Sequence, residues 1–254
     1  MEVAEHIEAL DEQGQLMSAA ASRGRLDQAV PNCPDWTLRD LLRHQRDVHR
    51  WARSYVSNAR TQMMTDDEEE AFFSSDQPSD LDLVDSFRQG HALLCHALRS
   101  APADLECWSF LPAPSPLAFW TRRQTHETTI HRVDTESVPG TFTPIGPVLA
   151  ADGVDELLGG FAARSKKLLR DPAPTMGVVT DDTDDAWLVT LGPDRVVTER
   201  IASDRATEAD CIVRGAASDL YLTLWNRPSV AALKTERDAS VLKGFCESLK
   251  IRWS

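Results

Sequence analysis

Cysteine is scarce in this chain, and the spacing of the cysteines does not indicate a disulfide or a metal site that they share. The five cysteines are scattered over 254 residues, and no two of them form a C-x-x-C pair. Paired, closely spaced cysteines are the usual sequence signature of a disulfide framework or a thiolate zinc site, so the spacing indicates neither. Free, mostly buried thiols are expected instead, at Cys33, Cys95, Cys107, Cys211 and Cys246. Cys33 is the one that lies in a predicted loop and can be exposed.

Positive charge and long apolar runs are also lacking. Lysine and arginine number 27 against 40 acidic residues, which gives a net charge of −13. Nucleic acids and anionic membranes are polyanions, so nonspecific binding to either is not expected. No apolar run approaches the roughly 20 residues of a membrane span, and the acidic start MEVAEHIEALDEQ has no signal-peptide core. The sequence therefore predicts a cytoplasmic protein that binds neither nucleic acid nor membrane.

The first two thirds of the chain show helical periodicity. The acidic stretch 65–80 is predicted to be a solvated loop, and a proline-rich connection near residue 114 cannot be regular helix. Long amphipathic helices with metal-type residues facing inward predict a four-helix bundle with a site in its core. The predicted helices cover about residues 3–22, the segment around His44, 81–99, the segment around Glu127, and a fifth, linking helix at about 148–170.

Beyond residue 171 the pattern changes from helical to alternating. The short apolar runs MGVVT, AWLVTL, RVVTERI and DCIVRG predict an antiparallel meander, with Gly192-Pro193-Asp194 as a hairpin turn. Segments 216–225 and 241–251 then predict helices packed on the sheet. The chain is therefore expected to be multidomain, α and α+β, with a helix bundle over 1–170 that includes the linking helix. A small α+β domain with an antiparallel sheet is expected over 171–254.

Glu127 and His131 form the most informative motif, an E-x-x-x-H pair in the stretch WTRRQTHETTIHRVD. Residues four apart on an α-helix lie on the same face. A carboxylate and an imidazole placed in this way can both reach one divalent metal. The alternative is a chance pair on a solvated helix face, but the apolar Ile130 and Val133 crowd the same segment.

His44 is the third candidate ligand. It lies three residues after Leu41 and four before Val48, so it faces the apolar side of its predicted helix. That helix begins with Thr37 as N-cap and Asp40 in capping-box position. A core histidine without a ligand role is the alternative. Two imidazoles and one carboxylate would leave a metal position open, as in catalytic zinc sites.

The sequence resembles the mycothiol-dependent maleylpyruvate isomerase family. Four blocks carry the resemblance in the family's order: CPDWTLRDLLRHQRDVHRW, WTRRQTHETTIHRVDTES, VLAADGVDELL and VRGAASDLYLTLWNR. The resemblance implies a DinB-like four-helix bundle followed by a C-terminal domain resembling sterol-carrier proteins. It implies a divalent metal, usually taken as zinc, held by His44, Glu127 and His131. It also implies roles for Arg227 and for mycothiol. Mycothiol is the low-molecular-weight thiol of the actinobacteria in which members of the family occur.

The expected chemistry is thiol activation. A thiol coordinated to the metal is deprotonated, and its addition to an electrophilic small molecule gives cis–trans isomerisation or S-transfer. Arg227 is the candidate for holding an anionic group, or else is a solvated loop arginine. Asp134 either orients the His131 imidazole or pairs with a nearby arginine. A noncatalytic small-ligand-binding or regulatory protein on the same fold is the alternative function, and the chain can be a monomer or homodimer.

Overall fold

The computed structural model describes residues 1–138, 143–227 and 231–251. Contacts divide the chain into two units, Met1–Thr143 and Pro144–Ser254. This division differs from the expected boundary at residue 170 and places the linking helix in the second unit. The reason is local packing, because the Trp225 indole donates a hydrogen bond to the Gly153 carbonyl at 3.1 Å.

Four long helices of the first unit form a bundle. The helices are α1 (Val3–Ala21), α2 (Leu38–Ser57), α4 (Leu83–Ser100) and α5 (Pro116–Ser137), with a short α3 (Asp66–Ser74) between α2 and α4. α1 packs against α4 and α5, and α2 packs against the same two helices. The predicted four-helix bundle is confirmed. Its core includes a buried cluster of Met17, Leu38, Leu41, Leu42, Leu83 and Phe87.

α3 corrects the prediction of a loop over 65–80. Thr65 caps this helix and forms a capping box with Glu68, since the Thr65 Oγ1 accepts from the Glu68 backbone at 3.3 Å. None of its residues is buried. Four of its five acidic residues stand in the first turn, where the helix dipole favours negative charge. The acidic run therefore stabilises a surface helix.

The second unit contains a five-stranded sheet in the order β3-β2-β1-β4-β5. The strands are β1 (Thr175–Thr180), β2 (Ala186–Leu191), β3 (Val196–Arg200), β4 (Cys211–Gly215) and β5 (Lys234–Arg237). The sheet is mixed and not antiparallel as predicted, because β1 pairs with β4 in parallel, Val178 opposite Val213. The other three pairings are antiparallel. The hairpin turn at Gly192 is confirmed, with its amide donating to the Arg195 carbonyl at 3.1 Å.

Helices accompany the sheet. α6 (Pro147–Asp155) continues as a π-helix (Glu156–Ala162), so the predicted linking helix is shorter than expected and changes its winding. α7 (Ala217–Leu224) packs against α6, and α8 (Ala239–Ser248) packs against β4 and β1. Among the described residues, none of the helices combines the length and the hydropathy that a membrane span requires.

Candidate metal centre

Local capping fixes the helices that carry the candidate ligands. Thr37 begins α2 with the predicted capping box, in which the Thr37 amide donates to the Asp40 carboxylate at 2.8 Å. Ser115 caps α5 by accepting from the Ala118 amide at 3.1 Å. α5 is buried around nearly its whole circumference between Leu117 and Glu136. Its polar side chains therefore have to find partners inside the bundle.

The three predicted ligands converge. The Glu127 Oε1 lies 3.3 Å from the His44 Nε2 and 3.3 Å from the His131 Nε2. Zinc bonds of about 2.0–2.1 Å to nitrogen and oxygen give about 3.4 Å between two ligand atoms of a tetrahedral site. The separations fit that geometry, and the donor set of two imidazoles and one carboxylate is one that divalent zinc accepts.

Arg123 completes the environment of the carboxylate. Its guanidinium donates to the Glu127 Oε2 at 2.8 Å, and its side chain is fully buried. Burial alone would raise the pKa of Glu127, but hydrogen bonds from His131 and His44, with the Arg123 charge, hold it well below its usual range. Glu127 is therefore an ionised carboxylate with one oxygen directed at the two histidines.

The other nitrogen of His131 contacts Asp134. The Nδ1 lies 3.0 Å from the Asp134 Oδ2, while the Asn32 amide donates to the Asp134 Oδ1 at 3.2 Å. The Cys33 thiol lies 3.4 Å from the Asp134 Oδ2. Burial opposes a charge on His131, yet Asp134, Cys33 and Glu127 raise its pKa well above the ordinary value. This contact fixes the ring with Nε2 toward Glu127.

The loop before α2 forms one wall of the cluster. A backbone bridge joins Ala29 to Thr37, and the Val30 amide donates to the Trp36 carbonyl at 2.9 Å. The Trp36 ring centroid lies 4.9 Å from that of His44 and is stacked 6.2 Å from that of His131. Trp36 therefore packs directly on the two histidines.

The cluster lies at the edge of the bundle core. The side chains of His44 and His131 are 13% and 10% exposed, against 4% for Glu127. Burial lowers the pKa of His44, so its imidazole is neutral and able to act as a ligand. Each imidazole therefore keeps a small solvent-accessible edge, whereas the carboxylate is enclosed.

Arg227 belongs to the second unit and is half-buried directly after α7. Its backbone amide donates to the Leu222 carbonyl at 2.7 Å, and its guanidinium donates to the Trp225 carbonyl at 2.9 Å. The side chain is thus tethered at the end of the helix. The contacts of the guanidinium include the Trp225 carbonyl. The anion-binding role of Arg227 remains a prediction.

Two buried residues near the cluster were missed or misplaced by sequence reasoning. Arg123 had no assigned role, although its spacing of four from Glu127 is a signal for an ion pair. His49 has the charged residues Asp47 and Arg50 close to it in the sequence, yet it is fully buried. Its Nε2 lies 2.7 Å from the Gln45 amide nitrogen and 2.9 Å from the Thr128 Oγ1. The polar face of α2 is therefore buried as well, against the polar side of α5.

The fold and the cluster define a two-unit protein whose helix bundle carries candidate metal ligands. The family model of the mycothiol maleylpyruvate isomerase N-terminal domain matches residues 7–136. The model of the C-terminal domain of the same family matches residues 148–244. The chain belongs to the mycothiol maleylpyruvate isomerase family.

Solved structures agree with this fold. The crystal structure of a mycothiol-dependent maleylpyruvate isomerase superposes with a TM-score of 0.62 at 12% identity, covering 92% of this chain and 93% of that chain. A histidine-to-alanine variant of a mycothiol-dependent maleylpyruvate isomerase superposes with a TM-score of 0.59 at 11% identity, with the same coverage. A comparison with curated protein sequences finds no match. At such identity the likeness establishes the fold.

Proposed function

We propose that this protein is a metal-dependent enzyme that activates a low-molecular-weight thiol, mycothiol, for addition to an electrophilic small molecule. The observation that carries the proposal is the single Glu127 oxygen that lies 3.3 Å from both His44 and His131. Membership of the mycothiol maleylpyruvate isomerase family supports the choice of thiol. The proposal places the reaction in the cytoplasm.

His44, Glu127 and His131 would hold the metal, which we take to be zinc. A bound divalent cation lowers the pKa of a coordinated thiol, so that a thiolate is available at neutral pH. The protein's own residues set up this chemistry. Arg123 keeps Glu127 ionised by binding its Oε2, so that the Oε1 is directed toward the two histidines. Asp134 contacts the Nδ1 of His131 and so directs the Nε2 of that ring toward Glu127.

The thiolate then adds to an activated carbon–carbon double bond. Rotation about the resulting single bond, followed by elimination of the thiolate, gives the other geometric isomer. Attack on an electrophile without elimination gives an S-conjugate instead. Arg227 is proposed to hold the anionic end of the thiol or of the substrate, because a guanidinium binds carboxylates in bidentate fashion. The acceptor substrate decides between isomerase and S-transferase activity.

Metal content tests the ligand assignment. Protein purified without chelator should carry about one divalent metal at this centre. His44→Ala and His131→Ala should lose that metal and the thiol-addition activity while keeping the helical circular dichroism. His96→Ala is the matched control, because His96 is an exposed histidine on α4. Retention of this metal in both His44→Ala and His131→Ala would rule out the assigned ligands.

A further inference from the structure

A second group of metal-type side chains lies between α1 and α4. It consists of Asp11 on α1 and of His91 and Cys95, which stand four residues apart on α4. The His91 Nε2 lies 3.6 Å from the Cys95 Sγ and 3.8 Å from the Asp11 Oδ1. His91 and Cys95 are buried, whereas the Asp11 side chain is 31% exposed. An imidazole, a thiol and a carboxylate therefore meet where the helix pair reaches solvent.

The separations match those of a zinc site. Zinc bonds of about 2.3 Å to sulfur and 2.0–2.1 Å to nitrogen and oxygen give tetrahedral edges of about 3.6 Å for nitrogen to sulfur and about 3.4 Å for nitrogen to oxygen. The 3.6 Å between His91 and Cys95 matches the nitrogen-to-sulfur edge. The 3.8 Å between His91 and Asp11 is a few tenths of an ångström longer than the nitrogen-to-oxygen edge. We propose that Asp11, His91 and Cys95 form a second metal site, for zinc or another thiophilic divalent cation. Its fourth ligand is a water on the exposed side of Asp11.

The backbone of α1 is adapted to the position of His91. A Cβ atom built on Gly14 would lie 2.2 Å from the His91 Cε1 and 2.3 Å from its Nε2. Glycine weakens a helix interior, yet here it lets the imidazole approach the α1 backbone. Gly14 follows Asp11 by three residues, so the approach brings the ring beside the carboxylate. This placement of His91 is independent evidence for a built site.

Asp11 keeps an oxygen available to a cation. Its Oδ2 is 2.6 Å from the Arg99 guanidinium, and its Oδ1 accepts from the Gln15 amide at 3.0 Å. A carboxylate oxygen has two lone pairs, so the Oδ1 can accept that bond and also serve as a ligand. Arg99 fixes the carboxylate in the orientation that turns the Oδ1 toward His91. A cation here would tie α1 to α4 and stabilise the bundle.

Cobalt(II) substitution of the full-length protein tests this site. A cobalt ion with a thiolate ligand shows a near-ultraviolet charge-transfer band, and the proposed His44–Glu127–His131 site contains no thiolate. We expect about two cobalt ions per chain, one for each set of three ligands, and a charge-transfer band in the wild type. Cys95→Ser should remove the band and one of the two ions. Cys33→Ser, at a thiol close to His131, should keep the band and both ions.

Asp11→Asn extends the test to a partly exposed ligand, in case Cys95→Ser does not fold. It should weaken cobalt binding at this site at least tenfold, with the visible absorption of the other site unchanged. Asp85→Asn, at an exposed acid that pairs with Arg88 on α4, should leave the band as it is. Absence of the band from the wild type, its loss in Cys33→Ser but not in Cys95→Ser, or full cobalt affinity in Asp11→Asn would overturn the proposal. None of these results depends on activity at the first site.

Discussion

Glu127 and His131 face each other across one turn of α5, with the Glu127 Oε1 3.3 Å from the His131 Nε2. The same oxygen lies 3.3 Å from the His44 Nε2 on α2. A buried carboxylate between two imidazoles is costly to maintain unless charges and hydrogen bonds compensate it. Arg123 supplies one compensating charge, and the proposed metal would supply the other.

Glu127→Gln should weaken metal binding and catalysis together, because a neutral amide is a poorer ligand than a carboxylate. Glu136→Gln is a closely matched control. Glu136 is also buried on α5 and also pairs with an arginine four residues earlier, Arg132, at 2.8 Å. The control should lower the melting temperature and leave metal content unchanged. Equal metal loss in both variants would show that Glu127 acts only through stability.

Asp134→Asn should reduce metal affinity by about 10–100-fold, because the outer partner of a ligand histidine fixes its ring and its tautomer. Asn32→Ala, which removes only the bond to the Asp134 Oδ1, should have a smaller effect in the same direction. Competition with a chromophoric chelator measures both affinities. Unchanged metal affinity in Asp134→Asn, even with a lower melting temperature, would contradict the positioning role.

Arg227→Ala should raise the apparent KM for thiol or substrate while metal content stays the same. An arginine that binds an anion contributes to substrate affinity and not to the metal ligands. Arg195→Ala is the control, at an exposed arginine after the hairpin turn. Steady-state kinetics with varied thiol and varied substrate identify which anion is held. A KM equal to that of the control for both would leave Arg227 as a structural residue.

Gly14→Ala should destabilise the protein by about 1–3 kcal/mol, although alanine favours helices, because the new methyl group would overlap the His91 ring. Gly90→Ala on α4 is the matched control. Its nearest neighbour would be 4.0 Å away, so it should stabilise the protein by about 0.5–1 kcal/mol. Chemical denaturation measures both. A stabilised Gly14→Ala would mean that His91 does not occupy the position beside α1.

Helical periodicity and spacing were sufficient to predict the bundle and to select the cluster. The apolar pattern placed His44 on the inner face of α2, and the spacing of four placed Glu127 and His131 on one face of α5. Periodicity does not say which helices are neighbours, so the grouping of His44 with Glu127 and His131 was a hypothesis from residue type and helix face, which the family resemblance supported.

Other features depend on tertiary contacts that the sequence does not display. The parallel pairing of β1 with β4 requires the connection through β2 and β3 to return to the other side of β1. Strand β5 has four exposed polar residues, Lys234–Arg237, and so lacks an alternating pattern. His49 of α2 is buried against Thr128 of α5, and Arg123 is buried beside Glu127. In the sequence alone, both polar residues look solvent-exposed.

Ionisation of mycothiol by the metal-loaded protein tests the central claim most directly. A free thiol with a pKa near 8.5 is mostly protonated at pH 7, so thiolate absorbance in the ultraviolet reports its ionisation. Titration of mycothiol into metal-loaded wild type should produce about one thiolate per chain, since the proposed catalytic centre is a single open site. Metal-stripped protein and Glu127→Gln should produce none. Mycothiol that stays protonated on the metal-loaded wild type, or ionises equally on the stripped protein, would contradict the account and favour a noncatalytic binding protein.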